Sequence, residues 1–207
     1  MIQAREALDR LREGNRRFVA DLRKVEAAFS TRRAALLETQ EPFAIVLGCS
    51  DSRVPAELVF DQGLGDLFVI RVAGNIVAPS QVGSVEFAAT RFKTRLVVVL
   101  GHTQCGAIAA TLEELRQPAA NQSLNLRSIV ERVRPSVEPL LESAHRNDPG
   151  ELMRGAVRAN VRASANHLRN GSSILEELIA KEGLRVVGAE YSLETGEVDF
   201  FDGATGW

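Results

Sequence analysis

With 207 residues, the chain is long enough to bury one sizeable core and short for two. Hydrophobic residues at 45% and charged residues at 25% are an ordinary globular mixture, and a formal net charge of −2 gives no reason to expect nucleic acid or an anionic membrane as partner. No apolar stretch approaches the roughly 20 residues needed to span a bilayer, and the opening Met1-Ile2-Gln3-Ala4-Arg5-Glu6 lacks the apolar segment of a secretory signal, so a cytoplasmic, reducing setting is expected.

Residues 3–24 place Ala7, Leu8, Leu11, Phe18, Val19 and Leu22 at helical spacing, which predicts an amphipathic helix, whole or broken at Gly14. A second short helix is expected over 31–37, and Glu41-Pro42 ends it ahead of a strand at 43–48. A short helix at 54–60, with Pro55 near its first turn, leads through the turn 61–66 into a strand at 67–72. Ala73-Gly74-Asn75 is a tight exit. Helix is expected over 80–94, strand over 96–100 and helix over 105–116, followed by helical stretches near 124–142 and 151–169. Gly171-Ser172-Ser173 restarts a helix that Gly183 ends, Leu184–Ala189 is a strand, and Glu197–Phe200 reads as an edge strand after Glu194-Thr195-Gly196. Buried strands alternating with helices predict an α/β fold: a central, mostly parallel sheet of about four parallel strands plus an antiparallel edge strand, flanked by helices. The expected organisation is a single domain of residues 1–207, with an N-terminal helical arm at 1–40 and an α/β core at 41–207.

The two cysteines of the chain stand at the ends of strand-like runs. Ala44-Ile45-Val46-Leu47-Gly48 opens into Cys49-Ser50-Asp51-Ser52-Arg53, and Leu96-Val97-Val98-Val99-Leu100-Gly101 opens into His102-Thr103-Gln104-Cys105-Gly106. Parallel sheets bind ligands beyond the carboxyl ends of their strands, where Cys49, Asp51, His102 and Cys105 all fall. A free cysteine is most often a small buried hydrophobe, and a lone histidine a satisfied core residue. The shared strand-end setting and the His102-x-x-Cys105 spacing favour a metal instead: two thiolates, an imidazole and a replaceable oxygen are the set zinc takes at catalytic sites. Asp51 and Arg53 alone would read as a surface ion pair. Beside a metal, Asp51 accepts a hydrogen bond from a zinc-bound hydroxide and Arg53 holds Asp51 by a bidentate pair. A nucleotide-binding reading is weak, because no G-x-G-x-x-G follows a strand and no G-x-x-x-x-G-K-[ST] occurs.

The stretch Cys49-Ser50-Asp51-Ser52-Arg53-Val54-Pro55, then Asp61-Gln62-Gly63-Leu64-Gly65-Asp66-Leu67-Phe68-Val69-Ile70-Arg71-Val72-Ala73-Gly74-Asn75, then Gly101-His102-Thr103-Gln104-Cys105-Gly106-Ala107, closely resembles the β-class carbonic anhydrases. The similarity covers most of the chain. It implies a lyase, carbonate dehydratase, that reversibly hydrates carbon dioxide to bicarbonate and a proton with zinc-bound hydroxide, on one Zn2+ per subunit held by Cys49, His102 and Cys105. It also implies that Asp51 takes the fourth zinc position in a closed form and swings to Arg53 in an open one. Val46 stands where some bacterial members carry the tryptophan of a bicarbonate site, so weak bicarbonate inhibition and an open resting state near neutral pH are expected. By the same resemblance Gln40, Phe68, Ala73, Gly106 and, from the partner subunit, Phe87 bind substrate; plant-like members have tyrosine at the last position. Members assemble as homodimers or homotetramers, and the apolar stripe of residues 7–22 fits a helix laid over a neighbour. Relatives on this scaffold hydrolyse carbon disulfide or carbonyl sulfide with the same ligands, and a zinc-stabilised protein without catalysis is the other alternative. His145 and His167 are proton-shuttle candidates by residue type alone.

Overall fold

A computed structural model describes residues 2–22, 29–117, 123–143 and 147–206. Five strands, β1 (Ala44–Gly48), β2 (Leu67–Arg71), β3 (Leu96–His102), β4 (Arg185–Tyr191) and β5 (Val198–Asp202), form one sheet in the order β2-β1-β3-β4-β5. The first four are mutually parallel and β5 runs antiparallel to β4, as expected from sequence. The central strands β1 and β3 are buried at every position. That is why they read as unbroken apolar runs rather than alternating ones.

Helices cover both faces. Val46, Val98, Leu100, Val187 and Ala189 point to one side, where α1 (Ala4–Val19) and α3 (Ala56–Val59) pack. Ile45, Leu47, Val97, Val99 and Val186, one residue out of phase, point to the other. There they meet α4 (Pro79–Arg91), α7 (Pro149–Asn170) and α8 (Ser173–Lys181). A third apolar cluster lies beyond the carboxyl ends of the strands, where α5 (Gly106–Arg116), α6 (Leu124–Val137) and α7 enclose Cys49, Ile76 and Cys105. The short helix α2 (Phe29–Ala35) completes the described set.

Three differences from the sequence reading have local causes. The stretch 124–142 divides into α6 and a 3-10 turn, Glu138–Glu142, with Pro139 in the first turn of the latter, since proline cannot donate to the helical ladder. β3 and β4 each run two residues further than predicted, to His102 and Tyr191, which pair in register. The third concerns Gly14. Helix α1 is continuous through it, and Gly14 serves close approach: a Cβ there would stand 1.8 Å from the carbonyl oxygen of Phe60.

Asn15, next to it, is buried and donates through Nδ2 to the carbonyls of Val59 (3.1 Å) and Gly196 (2.8 Å), while its Oδ1 accepts from the Val198 N–H (2.9 Å). The apolar stripe read as waiting for a neighbouring subunit is therefore covered largely by its own chain. Ala4, Ala7, Leu8, Leu11, Gly14 and Asn15 are buried, and only its far end, Val19 and Leu22, stays exposed. Gly14→Ala is expected to force α1 off Phe60 and to cost about 3 kcal/mol of stability. Chemical denaturation measures it, and an unchanged midpoint would contradict the close approach. Among the described residues no helix is long and apolar enough to cross a membrane.

Candidate metal centre

The pairing of β1 with β3 collapses the distance between the two cysteine segments. Gly48 is paired with Leu100, so Cys49, the residue that follows β1, lies beside Gly101-His102, the last two residues of β3. The chain then turns through Gln104, which takes a left-handed φ of 56°, and Cys105 becomes the residue that caps α5. Cys49, His102 and Cys105 are all buried, and their ligand atoms lie within 4.8 Å of one another.

The two sulfurs are 3.9 Å apart. Two zinc–sulfur bonds of about 2.3 Å at a tetrahedral angle separate their sulfurs by about 3.8 Å, so the spacing suits that ion. His102 Nδ1 lies 2.8 Å from the Thr103 carbonyl oxygen, which only a protonated Nδ1 can satisfy. The proton is thus assigned to Nδ1, and Nε2 carries the lone pair. That Nε2 is fully buried and has no hydrogen-bond partner among the described residues. A buried, unpartnered imidazole nitrogen beside two sulfurs is costly in an apolar cluster and is satisfied by a cation.

The charge on the sulfurs leads to the same conclusion. The Cys105 S–H donates to Cys49, and this bond, helped by the neighbouring His102 ring and then by the Gly74 and Asp51 backbone N–H groups, outweighs burial and lowers the Cys49 pKa to about 4. Cys105 is pushed far above the usual thiol range by the same bond and by burial, although the N–H groups of Ala107 and Ile108 in the first turn of α5 favour its thiolate. Without a metal the pair holds one proton between its sulfurs, and ionising both requires a cation. The residues present therefore fit a zinc ion.

Asp51 stands at the rim of this cluster, its Oδ2 3.8 Å from His102 Nε2. Arg53 grips it: Oδ1 accepts from the Arg53 backbone N–H (3.0 Å) and Nε (2.9 Å), and Oδ2 accepts from Nη2 (2.8 Å). The Arg53 guanidinium, through these bonds, holds the Asp51 carboxyl well below the usual carboxylate range. One contributor escaped the sequence reading. Arg71, the last residue of β2, donates Nε to the Cys49 carbonyl (3.0 Å) and Nη2 to the Asp51 carbonyl (2.6 Å), and so pins the loop between ligand and carboxylate. A charged residue closing an otherwise apolar strand was the available signal. Arg71→Ala is expected to loosen that loop and lower turnover roughly tenfold while the metal stays bound. Turnover measured at equal metal content decides it, and an unchanged rate would remove Arg71 from the site.

The expected pocket residues separate into two groups. Ala73 and Gly106 lie with the metal cluster: the N–H of Gly74, next to Ala73, donates to Cys49 Sγ at 3.4 Å, and Gly106 opens α5 with free space where a Cβ would be. Gln40 precedes β1 and is exposed at the opposite end of the sheet, the length of that strand, about 16 Å, away from Cys49. Phe68 is paired with Ile45, about 13 Å back along the sheet from Cys49. Phe87 lies against it, with ring centroids 6.2 Å apart, and Phe92 joins the same cluster. Phe87 is 52% exposed. His167 is exposed on α7, and His145 lies outside the described residues.

A family profile described as carbonic anhydrase matches residues 44–198, most of the chain. A carbonic anhydrase of Mycolicibacterium smegmatis is 40% identical over 192 residues, covering 91% of this chain and 89% of that protein. Carbonic anhydrase 2 of Mycobacterium tuberculosis H37Rv is 40% identical over 186 residues, covering 90% and 87%. Among solved structures, the β-carbonic anhydrase CafA of Aspergillus fumigatus superposes with a TM-score of 0.73 at 27% identity, covering 86% of this chain and 85% of that one. A β-carbonic anhydrase of Sordaria macrospora, described as tetrameric, superposes with a TM-score of 0.71 at 27% identity, covering 84% and 85%.

Proposed function

The chain belongs to the β-class carbonic anhydrases, and on that premise we propose that it reversibly hydrates carbon dioxide to bicarbonate and a proton at one zinc ion per subunit, held by Cys49, His102 and Cys105. The observation that carries this reading is the buried, unpartnered His102 Nε2 beside two sulfurs at 3.9 Å. A zinc ion held by these three groups supplies the Lewis acidity that makes water a nucleophile near neutral pH.

The remaining chemistry belongs to the chain. Asp51 accepts a hydrogen bond from the reacting water and turns a lone pair toward the substrate carbon. Arg53 keeps Asp51 ionised and aimed, so that its orientation is set before substrate arrives. The three bonds to Arg53 support reading this arrangement as the open form, in which the carboxylate would rest on the arginine rather than on the metal. Gly106, with no side chain, leaves its backbone N–H accessible at the positive end of α5, where it donates to a substrate oxygen. Ala73, next in the chain to the Gly74 that contacts Cys49, would offer an apolar side chain to an uncharged, nonpolar substrate.

Gln40, Phe68 and Phe87 cannot complete this pocket within their own chain. We assign them to the pocket of a second copy, so the working unit is a homodimer or a homotetramer, with the exposed Phe87 crossing the interface. A tetrameric assembly described for the Sordaria macrospora protein supports such a unit. A reducing compartment, the cytoplasm, suits sulfurs this close together. Metal analysis with stopped-flow hydration of carbon dioxide tests the reading: about one zinc per chain and rapid hydration are expected. A zinc-loaded protein with no hydration, or one that releases sulfide from carbon disulfide instead, would overturn it.

A further inference from the structure

Two polar residues on the buried face of α7 take no part in the site described so far. Asn160 and Ser164 lie one helical turn apart on a stripe otherwise formed by Leu152, Ala156, Val157, Val161, Ala165 and Leu168. Valine or leucine would pack there, yet both positions carry hydrogen-bond donors, and they donate to adjacent residues of the turn after β2. Asn160 Nδ2 bonds the Gly74 carbonyl (2.7 Å) and Ser164 Oγ bonds the Asn75 carbonyl (3.0 Å).

The turn they hold has a left-handed backbone. Gly74 and Asn75 take left-handed φ values of 70° and 43°, one after the other, and both are buried. Gly74 also has to be glycine for space, since a Cβ would meet the Ala107 Cβ at 3.1 Å. Glycine and asparagine are the residue types that tolerate this region, so the sequence permits the turn and the bonds from α7 fix its position. From this turn the Gly74 N–H donates to Cys49 Sγ at 3.4 Å. One end of Gly74 is therefore fixed by α7, and the other addresses a sulfur of the metal cluster.

We infer that Asn160, assisted by Ser164, is a positioning residue for the metal centre: it locks the turn after β2 so that the Gly74 N–H stays on the Cys49 sulfur. The inference rests on reading Cys49 as a metal ligand. An N–H bond to a thiolate withdraws charge from the sulfur and fixes its direction, which sets how strongly it donates to a metal. Without Asn160 the buried Gly74 carbonyl has no side-chain partner, the turn is no longer anchored to α7, and the N–H leaves the sulfur.

The test uses the full chain loaded with cobalt(II) in place of zinc, as wild type, Asn160→Ala and Ser164→Ala. The wild type should show thiolate-to-cobalt charge-transfer absorption. Its absence would overturn the reading of Cys49 as a ligand rather than this inference. In Asn160→Ala the charge-transfer band should shift and cobalt affinity should fall about tenfold, with a smaller change of the same sense in Ser164→Ala. A band shift in Asn160→Ala alone assigns the role to Asn160 without Ser164. A purely structural role would lower the melting temperature and leave the band of the folded, loaded protein where it was. Band and affinity unmoved in both variants, or in Ser164→Ala alone if Asn160→Ala does not fold, overturn the inference.

Discussion

Cys105→Ser is expected to empty the protein of zinc and to lower carbon dioxide hydration by about 10³-fold or more, while leaving it folded. The first half follows from donor chemistry. Serine keeps its proton at neutral pH, so the set falls from two sulfurs and a nitrogen to one of each, too few to hold the ion against water. The second half follows from position. Residue 105 caps α5 with extended backbone, and serine is among the preferred residues at such a cap. The helix therefore keeps its start, and loss of activity is separable from loss of fold. Metal analysis, circular dichroism and stopped-flow hydration on one preparation decide the matter. Retained zinc would show that Cys105 is not a ligand.

The same centre sets the sign of the pH dependence of metal uptake. In the metal-free protein Cys49 is lowered to about 4 and Cys105 is raised well above neutrality, so at pH 6–8 the pair carries one proton that the metal must displace. Each unit of falling pH should then weaken zinc binding at least tenfold, with one proton released from the sulfurs and, because the contact with Cys49 raises the His102 pKa against its burial, a further fraction released from the imidazole. Titration in buffers of different ionisation enthalpy measures that proton. A pH-independent affinity would mean that the two sulfurs do not share the metal.

Asp51→Ala is the second large effect: kcat/KM should fall about 10²- to 10³-fold with zinc content unchanged. The carboxylate makes three bonds to Arg53 and stands 3.8 Å from His102 Nε2, close enough to receive a hydrogen bond from a water at the metal. Removing it leaves that water free to turn and leaves Arg53 without its anchor. Asp51→Asn sharpens the result, because the amide keeps the size and loses the charge that Arg53 holds. If Asp51 were only the surface partner of Arg53, both variants would hydrate carbon dioxide at the wild-type rate. A deficit in zinc content rather than in rate would instead make Asp51 a metal-holding group.

Much of this protein was legible before any coordinates. The unbroken apolar runs at 44–48 and 96–100 had to be buried strands, and the amphipathic spacing that alternates with them had to be covering helices, because side-chain periodicity is a local property. The ligand types were legible too. Cysteine and histidine just past a strand end have few uses that do not involve a metal or a nucleophile, and His102 and Cys105 are close enough in sequence to reach one ion whatever the rest of the chain does.

Other features are decided by pairings between distant segments, to which local pattern is blind. Gly14 reads as a helix break from its neighbours, but it is a contact point because Phe60 arrives from α3. Arg71 looks like an ordinary strand end until the loop after β1 lies across it. Gln40 and Phe68 look like neighbours of the metal only while β1 and β2 are read as lines of text; the register places them at the far end of the sheet. By itself the sequence determined the fold class and picked out the cysteines and histidine that form the cluster, both of which depend on residue type and short-range spacing. Only the tertiary structure decided that β3 lies beside β1, that the Thr103 carbonyl leaves Nε2 of His102 as the free nitrogen, and that α7 holds the turn behind Cys49, since each of these is a choice of partner across tens of residues.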